Sequence, residues 1–148
     1  MPSELEHAEQ AIHNIEALKY LLEKGEFCDW SATVAFYTAL HIVEAVFYID
    51  TSHSRDRHGQ NHENRERILK ATRSYSKIYE HYRQLQSASV IARYLRNDQV
   101  VFSEYMSAET VKEKLIKHHL KQLIISAGEF LTDDAAGLLQ NSFDKNFH

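Results

Sequence analysis

The residues best equipped for chemistry lie together in Thr51 to Arg67, TSHSRDRHGQNHENRER, where His53, His58 and His62 alternate with Arg55, Arg57, Arg65 and Arg67. A guanidinium matches the planar, two-pronged geometry of a phosphate, and an imidazole changes charge near neutral pH. With no apolar side chain between Thr51 and Ile68, the stretch cannot bury its own backbone, so an exposed loop leading into a helix capped near Asn61 is expected. Three readings compete for it: a solvated loop, an anion or RNA-phosphate site, and a metal site. The metal reading is set aside, because neighbouring arginines raise the cost of a cation and nothing forces these histidines into a helical ligand pair. No metal and no cofactor are expected.

The element that must position these groups is Asp29 to Asp50, DWSATVAFYTALHIVEAVFYID, which is apolar nearly all round at 3.6 residues per turn. It reads as a buried helix, startable at Asp29 or Ser31, around which the others wrap. Tyr37, His41, Glu44 and Tyr48 fall on one line of it and form a buried polar seam. Two readings stay open for the seam: a structural network in which His41 and Glu44 satisfy one another across a turn, or the floor of a binding site.

The first helix is expected from Ser3, with Glu6 in capping-box position, to Gly25, with His7 and His13 on its surface. Ile68 to about Leu95 reads as a long helix with a break near Thr72 to Ser76. Its tyrosines suit a core with the hydroxyls at the rim, or stacking on RNA bases. Residues 96–107 lack helical periodicity and cross to a last long helix capped by Ser107, whose buried stripe runs from Val111 to Leu131. From about Thr132 a short helical turn and a frayed tail are expected.

A chain of 148 residues suits one domain, 1–148, and its single proline and four glycines leave little turn chemistry. The expected class is all-α, an up-and-down bundle of four to five helices. Cys28, alone, can close no internal disulfide, which suggests a reducing, cytoplasmic setting. No basic-then-apolar leader opens the sequence, and His41 and Glu44 interrupt the one long apolar run, so a soluble protein with no membrane partner is expected. The net charge of −4 hides an asymmetry: residues 1–29 carry seven acids and two lysines, whereas 65–83 carry six bases and two acids. The second segment suits an anion.

The central VAFYTALHIVEAVFY, the polar loop with His62 and Arg65, and IARY at Ile91 to Tyr94 together resemble the HEPN superfamily, in order and spacing, from about Glu4 to Leu131. The resemblance implies a compact helical bundle that dimerises, in a superfamily with many metal-independent endoribonucleases of toxin–antitoxin, defence or RNA-processing systems. Active members carry an arginine, a polar residue and a histidine four to six positions on, and Arg57-His58-Gly59-Gln60-Asn61-His62 fits that spacing. The place ahead of the final long helix, where active members hold the motif, has Arg96-Asn97-Asp98 with no histidine after it.

On this resemblance His62 is the expected acid/base, Arg57 and Arg65 the phosphate clamps, and His58, Arg93 and Arg96 further phosphate or RNA contacts. The implied partners are RNA or a nucleotide, a second copy of the chain as a homodimer, and an antitoxin or nucleotidyltransferase. The alternative is a non-catalytic HEPN module that binds a nucleotide or a partner protein.

Overall fold

The computed structural model describes residues 2–50, 61–97, 100–101 and 106–147, with 96, 97 and 100 described by their backbone alone. Six helices account for nearly all of it: α1 (Glu4–Lys24), α2 (Cys28–Ile49), α3 (His62–Ala71), α4 (Ser76–Tyr94), α5 and α6 (Asp133–Asn146). The fifth, α5, is continuous through an α-helical Ala108–Thr110, a π-helical Val111–Leu120 and an α-helical Lys121–Gly128. Between α4 and α5, Arg96–Asn97 pairs antiparallel with Val100–Val101, a two-residue ladder that leaves the class all-α.

The helix ends follow from local chemistry. Ser3 and Glu6 close a reciprocal capping box at the start of α1, and Gly25 ends that helix in the left-handed conformation (φ 68°) that a missing Cβ makes easy. Asn61 Oδ1 accepts the Asn64 N–H (2.8 Å) to start α3, and Ser107 caps α5. For α2 the expected caps are not used. The helix begins at Cys28 behind Phe27 with no side-chain cap, so Asp29 and Ser31 lie inside its first turn.

The apolar stretch does become the core. Phe36, Ile42, Val43 and Val46 of α2 are fully buried, facing Ile15 and Leu18 of α1, Ile78, Tyr82 and Leu85 of α4, and Ile116 and Leu120 of α5. Burying each such aliphatic side chain contributes about 1.5–3 kcal/mol, which is why α2 organises the bundle. By length and composition alone α2 could cross a membrane, but most of it is covered by its neighbours.

One expectation changes. The chain after Thr132 is a 14-residue helix rather than a short turn, because Leu139 and Phe143 repeat at helical spacing and are buried, with α1 beneath them. Its N-cap, Thr132, gives its N–H (2.9 Å) and hydroxyl (2.8 Å) to the buried Glu4 carboxylate, joining the first and last helices. The break expected near Thr72 to Ser76 is a single 3₁₀ turn, Arg73–Tyr75, which parts α3 from α4 after Thr72. Tyr75 is buried there and donates to Asp50 Oδ2 (2.6 Å), which locks the break to the end of α2.

Candidate phosphate site

The start of α3 lies over the middle of α2, and from there the site assembles. Arg65, one turn into α3, is buried and its Nε donates to Glu44 Oε1 at 2.7 Å. Glu44 is the buried acid of the seam. The pair can exist there because each charge neutralises the other in a region where either alone would be heavily penalised. Arg65 also points Nη1 at His62 Nδ1 (3.4 Å) and lies beside the Tyr82 hydroxyl, whose pKa burial pushes up to about 12 against the pull of Arg65.

His62 stands at the open edge of this network. Its ring meets Phe36 (centroids 5.5 Å) and Tyr37 (6.1 Å). From α4 the Arg93 guanidinium reaches the same two rings, 5.9 Å from Phe36 and 6.0 Å from Tyr37, and lies 5.5 Å from the exposed Tyr94. Its Nε donates to the Ser89 carbonyl (3.3 Å), and no carboxylate among the described residues pairs with it. A guanidinium held over aromatic faces in this way gains about 0.5–2 kcal/mol of cation–π attraction, which fixes its aim without neutralising it.

Burial first, then Arg65, then Arg93 hold the His62 pKa below its ordinary 6.5, so the ring is neutral at physiological pH. Because a guanidinium can only donate, the Arg65 contact makes His62 Nδ1 an acceptor and leaves the ring proton on Nε2. The site therefore presents two donors to an incoming anion, one neutral and one charged.

Several expectations are revised by this geometry. His62, Arg65 and Arg93 are brought together, but Arg65 is committed to Glu44 and is no exposed clamp. Instead it orients His62. Arg57 and His58 lie outside the described residues, as does the side chain of Arg96. His41 and Glu44 do not satisfy one another: Glu44 takes Arg65, and His41 Nδ1 meets His7 Nδ1 at 3.0 Å. His7 is thus no plain surface histidine, whereas His13 is exposed. The seam is buried only in its middle, since Tyr48 is 47% exposed and Tyr37 half-buried.

Sequence reasoning missed His7, which belongs to the His41 end of the network, and Phe36, which forms the floor under Arg93 and His62. For His7 the signal was present: positions 4, 8, 11 and 15 are the buried stripe of α1, and residue 7 borders it. Phe36 was recognised only as core. Neither a family model, nor a curated protein, nor a solved structure matches this chain.

Proposed function

We propose that this chain is a HEPN-type, RNA-acting cytoplasmic protein that takes a backbone phosphate between Arg93 and His62. The observation that carries the reading is the convergence of a guanidinium that no described carboxylate pairs with and a neutral imidazole on one aromatic floor, Phe36 and Tyr37. Arg93 supplies charge and two-pronged geometry, His62 Nε2–H a second donor, and exposed Tyr94 a ring on which a base can stack. The exposed Arg67, Lys70, Arg73, Lys77 and Arg83 of α3, the turn after it and α4 supply the wider positive field.

One observation favours a catalytic version, a metal-independent endoribonuclease. The Arg65–His62 contact is long at 3.4 Å, and an imidazole that loses it regains a lone pair on Nδ1 while two guanidiniums keep it unprotonated. Such a ring can take a 2′-hydroxyl proton, and Arg93 can hold the charge that develops on the phosphate. Once it has taken the 2′-hydroxyl proton, the same ring can hand that proton to the leaving 5′-oxygen, which returns it to the neutral state.

Labelled single-stranded RNA, incubated with the full chain in EDTA, separates the versions. Binding lost in Arg93→Ala, with cleavage abolished in His62→Ala, supports the nuclease. Binding lost in Arg93→Ala with no cleavage by the wild type leaves the binding module. RNA affinity unchanged in both variants sinks the site itself.

A further inference from the structure

A second histidine cluster lies away from the phosphate site, where α4 meets the π-helical part of α5. His81 precedes Arg93 by twelve residues on α4, which places it about 18 Å further down the helix axis. Opposite it are two consecutive residues of α5, His118 and His119. Ring nitrogens of all three lie within 4.8 Å of one another, His81 and His119 half-buried and His118 exposed. The Nδ1 atoms of His81 and His119 are 3.1 Å apart, and the His118 ring centroid is 4.7 Å from that of His119 and 5.5 Å from that of His81.

We propose that His81, His118 and His119 bind a divalent transition-metal cation of the zinc type, clamping α4 to α5 and leaving the remaining coordination position to water. Four points support it. First, a tetrahedral ion with Zn–N bonds of about 2.0–2.1 Å sets its ligand nitrogens about 3.3 Å apart. The His81 and His119 nitrogens already have that spacing, and only His118, exposed and free to turn, must close in.

Second, the backbone is built to bring adjacent residues to one ion. In an α-helix consecutive side chains diverge by about 100°, so a His-His pair seldom serves one target. Across Val111–Leu120 the hydrogen bonds lengthen to a five-residue reach, as in Lys121 N–H to the Ile116 carbonyl, and the wider turn narrows that divergence. π-Helical turns are rare within α-helices and frequently mark functional sites.

Third, the ligand atoms are available. His118 is exposed and His81 and His119 are only half-buried, so an ion reaches their ring nitrogens from solvent. Fourth, a carboxylate stands near: Glu80 acts on both His81 and His119, whereas two arginines act on His62. Imidazole sets of this kind take zinc, copper or nickel rather than magnesium or calcium. The arginine-flanked histidines on which the sequence analysis weighed a metal are a different group.

The test is calorimetric titration of the tag-free, chelator-stripped full chain with zinc chloride. The expectation is one saturable site per chain, weakened more than about tenfold by His118→Ala and by His119→Ala and unchanged by His13→Ala. His118→Ala removes an exposed side chain, so its thermal midpoint without zinc should equal that of the wild type. Zinc should then raise the wild-type midpoint and leave the variant's where it was. Cobalt(II) in place of zinc should give visible ligand-field absorption that is lost in His119→Ala. No saturable zinc binding, or binding indifferent to both His118→Ala and His119→Ala, overturns the site. The phosphate chemistry is read separately, in EDTA, so either proposal can fail without the other.

Discussion

Arg65 is the residue on which the polar interior turns, because it is buried, charged, and shared between the seam of α2 and the edge of the candidate site. Removing its carboxylate with Glu44→Ala strands a guanidinium in the core, and urea denaturation should show a loss of about 3–5 kcal/mol. Replacing both partners, Glu44→Met with Arg65→Leu, should cost much less than Glu44→Ala alone, since no charge is then left uncompensated. The double variant should still bind RNA, weakly, if Arg65 acts only by orienting His62. His41, His62, His81 and His119 set the pH response. All four titrate below 6.5 in the folded chain, through burial first. Between those lowered values and 6.5 the unfolded chain binds more protons, so stability is complete above pH 6.5 and falls as pH drops below it. Thermal midpoints measured from about pH 8 to pH 5 should therefore be flat and then decline, and the decline should shrink in His41→Asn.

The helices differ in how openly their sequences declare them. Ser3 with Glu6, Gly25, Asn61 and Ser107 are capping chemistry that acts within four residues, so α1, the start of α3 and the start of α5 were readable from the chain. The long apolar run of α2 was equally plain, since such a face has to be covered. What was not readable depended on distant partners. The break near Thr72 was expected, but the tie of Tyr75 to Asp50 that fixes it was not, and α6 forms because Glu4 and α1 receive it. The pairing of Glu44 with Arg65 rather than His41 likewise needed the position of α3. The π-helical stretch of α5 left no trace in an amphipathic pattern that fits an ordinary helix. One helix end carries measurable strain: Leu95, after α4, has φ 69° and is three-quarters exposed. Its Cβ crowds the backbone there, so Leu95→Gly should stabilise the protein by about 0.5–1 kcal/mol, seen as a higher urea midpoint with an unchanged slope.

At the scale of the molecule the bundle separates its charges. Seven acids lie in the first 29 residues, while Arg67, Lys70, Arg73, Lys77 and Arg83 are exposed on α3, the adjoining turn and α4. An RNA strand held by those bases displaces counterions, so its affinity should fall steeply with salt, by a log–log slope of about −0.7 for each phosphate neutralised on a single strand. Arg73→Ala and Lys77→Ala should each flatten that slope while leaving stability nearly untouched, and fluorescence anisotropy across a salt series reads both. The latch between Glu4 and Thr132 spans 128 positions. While the chain is being synthesised this contact cannot close until residue 132 has left the ribosome, so the α1 surface that α6 covers stays bare until then. A nascent chain stalled before Thr132 should therefore be a preferred client of hydrophobic-binding chaperones, and release should coincide with α6 docking on α1.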